Sequence, residues 1–194
     1  MKKLVFATNN KHKIEEVAPL IQSQFQLLSL TDIKCFEELQ EPHVTLIENA
    51  FEKARFVYYR YGYDCFADDT GLEIDALEGK PGVFSARYAG LGCSFEDNVK
   101  KVLKEMEHFT NRNARFKTII ALIINGKEYS FEGVAEGEII AEVTGNKGFG
   151  YDPIFRPIGY SKTFAEMELN EKNQISHRAL ASNKLIQFLN NLHE

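Results

Sequence analysis

Two adjacent carboxylates, Asp68 and Asp69, follow a short apolar segment of the chain. Two carboxylates cannot both enter a protein core unless cations or protons neutralise them. Oxygen ligands without nearby sulfur suit Mg²⁺, which keeps several waters and bridges phosphate groups. The motif ADDTGL therefore indicates a candidate site for a metal ion and a phosphate. The structural alternative is an Asp-rich turn in which Gly71 adopts a positive φ.

A second polar segment lies between an apolar stretch and an amphipathic one, and it consists of Thr8, Asn9, Asn10, Lys11, His12 and Lys13. The first turn of a helix carries N–H groups without intrahelical partners, and such a turn binds anions. Lys13 would add a mobile positive charge. The segment is not a Walker A loop, because it lacks the glycines and the Lys-Ser/Thr pair of that motif. An ordinary Asn cap at the helix N-terminus is the alternative.

Two further segments could recognise a ring system. In Gly148-Phe149-Gly150-Tyr151-Asp152-Pro153, Phe149 or Tyr151 could stack on a base and Asp152 could accept a hydrogen bond from a ring N–H. Its alternative is an apolar loop that fills the core. In the other segment, Lys172 precedes Ser176-His177-Arg178 at the start of a helical stretch. Arg178 offers fixed donors to a carbonyl or a phosphate. The alternative is that these positive residues are incidental, although a positive charge beside a helix N-terminus is electrostatically unfavourable, which favours a function.

Hydrophobic periodicity predicts the elements that position these segments. The predicted strands and hairpin are Lys3–Ala7, Leu27–Leu30, Asp64–Ala67, Ala114–Asn125 with a Gly126-Lys127 turn into Glu128–Ala135, and Glu138–Val143. The predicted helices run from Lys11 to about Ser23, from a Thr45 capping box to Tyr61, over Glu96–Glu107, and from Ser176 to Leu192. Loops are expected at Glu37–His43 and Thr144–Pro157.

Alternating strands and helices early in the chain, followed by a hairpin, predict an α/β fold with a mixed central β-sheet rather than a purely parallel one. The chain has 194 residues and shows no repeat, no low-complexity tract and no linker. We therefore expect a single domain over residues 1–194.

Composition excludes several classes of protein. The net charge is −5, which argues against a general nucleic-acid-binding protein. No apolar run approaches the roughly 20 residues that span a bilayer, and the apolar stretch near the N-terminus is shorter than the roughly 7–15 residues of a secretory signal. Three cysteines without a CxxC pair are typical of reduced thiols. We therefore expect a cytoplasmic protein without nucleic-acid or membrane partners.

Taken together, these segments resemble the inosine triphosphate pyrophosphatases, also called non-canonical purine NTP pyrophosphatases. The resemblance implies an elongated mixed sheet with flanking helices, two lobes with a cleft between them, and a homodimer. It also implies Mg²⁺-dependent hydrolysis of ITP, dITP and XTP between the α and β phosphates, which removes deaminated purines from the nucleotide pool. The six matching segments follow the family order: FATNNKHK, ENAFEKA, ADDTGL, PGVFSARYAG, GFGYDPIF and EKNQISHRA.

The resemblance also implies roles for individual residues. Asp69 corresponds to the essential carboxylate, which acts as metal ligand and as base for the attacking water, and Glu41 is the expected second metal ligand. Roles in substrate binding carry over to Thr8, Asn9, Asn10, Lys11, His12, Lys13, Lys53, Thr70 and Arg87 on the phosphate side, and to Phe149, Gly150, Tyr151, Asp152, Lys172, Ser176, His177 and Arg178 around the base.

Specificity for the base has a physical explanation. Hypoxanthine and xanthine present a 6-oxo acceptor where adenine presents a 6-amino donor, so a protein donor such as Arg178 would favour the former. An unpaired buried polar group costs about 1–3 kcal/mol. The alternatives that the residues leave open are a non-catalytic nucleotide sensor, a relative that acts on modified pyrimidine triphosphates, and an RNA-binding module, which the acidic charge disfavours.

Overall fold

The computed structural model describes residues 2–21 and 25–192. Within these residues the strands are β1 (Lys2–Phe6), β2 (Phe25–Leu28), β3 (Cys65–Ile74), β4 (Pro81–Gly82), β5 (Asn113–Ile124), β6 (Lys127–Ile139) and β7 (Phe155–Pro157). The α-helices are α1 (Lys11–Ile21), α2 (Leu46–Tyr61), α3 (Phe95–Glu105), α4 (Leu169–Ile175) and α5 (His177–Asn191). Within the same residues, no helix combines the length and the apolar character needed to cross a membrane.

The strands form one mixed sheet in the order β2-β1-β3-β5-β6-β7, with β4 paired to β3. Strand β1 is parallel to both of its neighbours, β2 and β3. The β3–β4 and β6–β7 pairs are antiparallel. The predicted α/β class with a mixed sheet flanked by helices is confirmed.

The chain divides into two compact units. Unit 1 comprises the described residues within Met1–Asp69, Thr118–Gly133 and His177–Glu194, and unit 2 comprises Thr70–Lys117 and Val134–Ser176. The core of unit 1 includes Leu4, Phe6, Val17, Ile21, Phe25, Phe66, Ile120, Leu122, Ile124, Ala181, Leu185 and Leu189. The core of unit 2 includes Leu72, Ile74, Val99, Val102, Met106, Phe116, Tyr151, Ile154, Phe155, Phe164 and Met167.

Helix positions agree well with the sequence predictions, because capping residues and apolar faces specify them. Helix α2 begins after Thr45, whose side-chain oxygen accepts a hydrogen bond from the Glu48 N–H at 3.3 Å. Helix α1 begins at Lys11 as predicted, but its predicted end near Ser23 lies outside the described residues. Helices α3 and α5 are confirmed to within two residues, while the short α4 had no predicted counterpart.

The prediction that a strand ends at Ala67 is wrong, because β3 continues through Asp68 and Asp69 to Ile74. The turn in which Gly71 adopts a positive φ is therefore also wrong. A Cβ at Gly71 would lie 2.7 Å from the Gly82 carbonyl oxygen, so this glycine permits the close approach of β4. The two carboxylates remain in a buried strand because cations surround them, as described below.

The later strands differ in length from the prediction. Strand β6 runs without a break to Ile139, so a separate strand over Glu138–Val143 is wrong. The hairpin turn lies at Asn125-Gly126, one residue earlier than predicted, and both residues have positive φ (51° and 75°). This Asn-Gly pair is the preferred sequence of a two-residue type I′ turn. Strand β7 falls within the predicted loop Thr144–Pro157, and β4 was not predicted.

Candidate active site

A buried cluster of opposite charges lies in unit 1, and we call it the carboxylate cluster. Four carboxylates and three cations from β3, α1, α2, α5 and the loop before α2 contribute to it. Its members are Lys13, Glu16, Glu41, Lys53, Asp68, Asp69 and Arg178.

Asp68 is bound tightly inside this cluster. Its Oδ1 lies 2.9 Å from the Lys13 Nζ, and its Oδ2 accepts a hydrogen bond from the Arg178 Nε at 3.1 Å. Burial by itself would raise the pKa of Asp68, but Lys13 and Arg178 hold the pKa well below its ordinary value. Asp68 is thus a permanently ionised residue that organises the cations around it.

Asp69 has a different environment. Its Oδ1 lies 3.6 Å from the Lys53 Nζ, while Lys53 also donates to the Glu41 Oε1 at 2.5 Å and to the Asp68 carbonyl oxygen at 2.7 Å. Burial raises the pKa of Asp69, although Lys53 opposes the shift. The Asp69 carboxylate is therefore a stronger proton acceptor than an exposed aspartate.

Burial lowers the pKa of Lys13, whereas for Lys53 the attraction of Asp69 and Glu41 outweighs burial and raises the pKa. The same Lys53 keeps the pKa of Glu41 below its ordinary value despite burial. Both Glu41 and Asp69 thus direct a carboxylate at one cationic centre, the Lys53 ammonium group.

Glu41 and Asp69 are the two carboxylates that the sequence predicted as Mg²⁺ ligands. Within the described residues, no group of three or more His, Cys, Asp or Glu side chains is placed to hold a metal ion. However, Mg²⁺ is usually held by one or two carboxylates, with water and substrate phosphates as the remaining ligands. Glu41 and Asp69, which approach the same ammonium group, supply this oxygen donor set. The residues present therefore fit Mg²⁺.

The segment between β1 and α1 has the geometry of a helix cap. The Asn10 Oδ1 accepts hydrogen bonds from the N–H groups of His12 (3.0 Å) and Lys13 (3.4 Å), and the Asn10 N–H donates to the Thr8 Oγ1. The structural alternative, an Asn cap, is thus present. Asn9, Lys11 and His12 are exposed at this helix end.

Arg178 occupies an interior position in unit 1, with 2% of its surface exposed. Besides its bond to Asp68, its Nη1 pairs with Glu16 of α1. The sequence predicted a hydrogen bond from Arg178 to a base, which stays a prediction. What the structure adds is a contact with the carboxylate beside Asp69. His177 is the buried first residue of α5.

In unit 2, the GFGYD segment forms a loop around the Asp152 carboxylate. The Asp152 Oδ2 accepts hydrogen bonds from the Lys172 Nζ at 2.6 Å and from the Phe149 N–H at 2.9 Å. Both side chains of this ion pair are buried. Gly148 and Gly150 have φ values of +70° and +63°, which favour glycine. Asp152 thus fixes the conformation of the loop.

The two aromatic residues of this loop have different exposure. Tyr151 is only 3% exposed, and its hydroxyl donates to the Ser85 carbonyl oxygen at 2.8 Å. Phe149 is half-buried, and its ring lies 5.9 Å from the Phe95 ring and 5.4 Å from the Lys172 Nζ. Of the two stacking residues that the sequence offered, Phe149 is the one whose ring is outside the core.

The remaining predicted residues of unit 2 lie in three different elements. Thr70 is in β3, directly after Asp69. Arg87 ends a 3₁₀ turn, Ser85–Arg87, and its guanidinium lies 5.4 Å from the centre of the Phe84 ring. Ser176 is the buried residue that ends α4, and its N–H donates to the Lys172 carbonyl oxygen.

Sequence reasoning missed three residues of these networks, namely Glu16, Ser85 and Asn98. Glu16 is a buried carboxylate on α1, and the apolar periodicity of that helix gave no indication of it. Asn98 is buried at the end of the first turn of α3, and its side chain bonds to the backbone at Ala86 and Ala89.

Comparison with known proteins identifies the family to which this chain belongs. The model of the Ham1 family matches residues 4–188. The chain belongs to the Ham1 family, which confirms the resemblance seen in the sequence.

Its relatives have specific names. The chain is 54% identical over 187 residues to the dITP/XTP pyrophosphatase of Flavobacterium johnsoniae, with 96% of this chain and 97% of the relative covered. It is 49% identical to the dITP/XTP pyrophosphatase of Porphyromonas gingivalis, with 97% and 98% covered. Among solved structures, the Coxiella burnetii HAM1 protein is 38% identical with a TM-score of 0.91, and 98% of this chain and 100% of that chain are covered.

Proposed function

We propose that this protein is a nucleoside triphosphate pyrophosphohydrolase that cleaves dITP, ITP and XTP between the α and β phosphates. The products are the nucleoside monophosphate and pyrophosphate, and the reaction removes deaminated purines from the nucleotide pool. The main structural support for the proposal is the carboxylate cluster, in which Asp68 contacts Lys13 and Arg178 while Asp69 and Glu41 both contact Lys53. The names of relatives that are about half identical over nearly the whole chain support it.

Asp69 acts as the base in this proposal. Its carboxylate accepts a proton from the water that attacks the α phosphate. Asp68 remains ionised and holds Lys13 and Arg178 in place. Adjacent residues in opposite environments thus divide proton transfer and positioning between them.

Cationic side chains bind the phosphates. Lys13 and Lys53 supply positive charge that a net acidic protein needs for an anionic substrate. Arg87 is the further cation that the family resemblance assigns to the phosphates. The residues Thr8, Asn9, Asn10, Lys11 and His12 at the start of α1 and Thr70 of β3 complete the phosphate-binding set. In-line attack depends mostly on such positioning and on stabilisation of charge.

We propose Mg²⁺ as the cofactor, held by Glu41 and Asp69. When bound, it would neutralise charge on the phosphate oxygens and on the departing pyrophosphate. Lys53, which contacts both carboxylates, limits their mutual repulsion.

The GFGYD loop recognises the base in this proposal. Phe149 provides the stacking surface, and Gly150 and Asp152 shape the loop around it. Tyr151, Lys172, Ser176, His177 and Arg178 complete the predicted set. A donor directed at the 6-oxo group would favour hypoxanthine and xanthine over adenine by up to about 10⁴-fold.

We further propose that residues 1–194 act as one domain, that two copies form a homodimer, and that the protein works in the cytoplasm. The family resemblance supports the homodimer. The free thiols of Cys35, Cys65 and Cys93 support a reducing compartment.

The test is a product analysis. Purified protein is incubated with dITP, ITP, XTP, GTP and ATP, with Mg²⁺ or with chelator, and products are separated by ion-exchange chromatography. We expect metal-dependent formation of the monophosphate and pyrophosphate from the first three nucleotides, with GTP and ATP largely spared.

Other products would contradict the proposal. A diphosphate and orthophosphate would identify a γ-phosphatase, and tight binding of dITP without turnover would identify a nucleotide sensor. Turnover that continues undiminished in chelator would refute the metal requirement. The Asp69→Asn variant is the matched control, because it removes the base and preserves the shape of the side chain.

A further inference from the structure

The backbone around Arg87 is held in place by side chains from other elements. We call Ser85–Gly90 the Arg87 loop. The Arg87 N–H donates to the carbonyl oxygen of Phe84, just before the loop, and the Gly90 N–H donates to the Arg87 carbonyl oxygen. These two short-range bonds form consecutive turns around Arg87. Three further hydrogen bonds to the loop backbone come from side chains of one helix, α3.

Asn98 of α3 contacts the loop on both sides of Arg87. Its Nδ2 donates to the Ala86 carbonyl oxygen at 3.2 Å, and its Oδ1 accepts from the Ala89 N–H at 2.7 Å. The same Oδ1 accepts a weaker bond from the Cys93 Sγ at 3.2 Å. One buried side chain therefore fixes a backbone acceptor before Arg87 and a backbone donor after it.

Asn98 is the fourth residue of α3, and its side chain does not serve the helix. Asparagine is a poor helix former, because its amide competes with the backbone for hydrogen bonds. Helix α3 has its own N-terminal capping box, formed by Ser94 and Asp97, so Asn98 is not needed as a cap. Asn98 is 2% exposed, and both of its amide atoms bond to the loop. Its contribution is thus to the loop rather than to the helix.

Two further contacts hold the same loop. One turn along α3, the Lys101 Nζ donates to the Tyr88 carbonyl oxygen at 2.7 Å and lies 4.2 Å from the centre of the Tyr88 ring. From the GFGYD loop, the Tyr151 hydroxyl donates to the Ser85 carbonyl oxygen. Carbonyl oxygens at Ser85, Ala86 and Tyr88 are therefore all bound by side chains.

We infer that Asn98 is a positioning residue, which holds the Arg87 loop in the conformation that presents Arg87 to a substrate phosphate. The inference rests on the proposed function and assigns a role to α3, where the family motifs identify no residue. A preformed loop avoids the entropic cost of ordering Arg87 at each binding event. Asn98 acts through Arg87 and does not contact the substrate.

A double-mutant cycle tests this dependence. We expect Arg87→Ala to lower kcat/KM for dITP by about 10²–10³-fold, and Asn98→Ala to lower it by about 10–100-fold through misplacement of Arg87. In the Arg87→Ala background, Asn98→Ala should change kcat/KM by less than about twofold, because both substitutions remove the same interaction. The loss should appear mainly in KM if Arg87 contacts the substrate before reaction.

Equal effects of Asn98→Ala in the two backgrounds would overturn the inference, and so would a wild-type rate in either single variant. Ser94→Ala is the matched control for loss of helix stability, since it removes the cap of α3 without touching the loop. If Ser94→Ala lowers kcat/KM as much as Asn98→Ala at an equal loss of stability, the role of Asn98 is structural. A wild-type protein that releases no pyrophosphate from dITP would instead refute the proposed function.

Limited proteolysis with trypsin measures the loop without any activity. The bond after Arg87 should be cleaved at least about tenfold faster in Asn98→Ala than in wild type, because cleavage requires local opening. The bond after Lys127, the exposed first residue of β6 beside the hairpin turn, is the internal reference and should be cleaved at the wild-type rate. Should Asn98→Ala unfold, Asn98→Asp keeps the acceptor for the Ala89 N–H and replaces the donor to Ala86 by a carboxylate oxygen. Unchanged cleavage after Arg87 in the folded variant would show that Asn98 does not hold the loop.

Discussion

Gly148 occupies the tightest position in the GFGYD loop, and replacing it by alanine tests whether the Asp152 carboxylate organises that loop. A Cβ at Gly148 would lie 2.0 Å from the Asp152 Oδ2, a distance that no relaxed structure permits. This same oxygen accepts the hydrogen bonds from the Lys172 Nζ and the Phe149 N–H. The carboxylate must therefore move away from both donors when the methyl group is present.

The expected magnitude combines two effects. At φ +70°, alanine is less stable than glycine by about 1–2 kcal/mol. Displacement of Asp152 weakens buried hydrogen bonds, which adds about 1–3 kcal/mol. We therefore expect Gly148→Ala to lower the free energy of unfolding by about 2–5 kcal/mol.

Gly150→Ala is the matched control. Gly150 has a similar φ of +63°, but a Cβ there would meet nothing within 4 Å. It should therefore show only the backbone effect of about 1–2 kcal/mol. Urea unfolding followed by circular dichroism measures both variants. If the two variants lose the same stability, the contact with Asp152 does not constrain the loop, and our explanation of the GFGYD motif is refuted.

Three other substitutions test the remaining networks. Asp69→Asn should preserve the melting temperature within a few degrees and lower the rate of pyrophosphate release by about 10²–10⁴-fold, as loss of a general base does; a folded variant with near-wild-type turnover would contradict this role. Asp68→Asn should lower the free energy of unfolding by about 3–5 kcal/mol, because Lys13 and Arg178 lose a buried counter-charge. A loss below about 1 kcal/mol in urea unfolding would contradict this prediction. Gly133→Ala places a Cβ 2.0 Å from the His177 carbonyl oxygen and should destabilise unit 1 by at least about 1–3 kcal/mol, with a wild-type unfolding curve as the contradicting result.

Helices could be predicted from the sequence more reliably than strands, and the reason is local. Thr45 and Ser94 mark helix starts by side-chain bonds to residues three positions away. The ends of β3 and β6 depend instead on partners that are distant along the chain. Strand β4, which consists of only Pro81 and Gly82, has no pattern of its own and exists because Gly71 lets it approach β3.

The candidate site likewise depends on contacts between residues that are distant along the chain. Sequence motifs identified which residue types could bind phosphate, but not which of them bind each other. Asp68 and Arg178 are 110 residues apart, and Glu16 and Arg178 are 162 residues apart. No periodicity connects positions at such separations. The interior location of Tyr151 and the loop contacts of Asn98 likewise follow from tertiary packing, which a single sequence does not specify.

Asp68 and Asp69 show why chemistry requires this tertiary information. Their side chains are chemically identical, and as neighbours in a strand they direct those side chains to opposite faces of the sheet. One carboxylate meets Lys13 and Arg178, and its pKa falls; the other meets Lys53 less closely, and burial raises its pKa. A one-residue change of register would turn each of the two carboxylates to the opposite face of the sheet. The register of β3, to which its pairing with β1 and β4 contributes, thus determines which aspartate occupies the environment that we propose for the base.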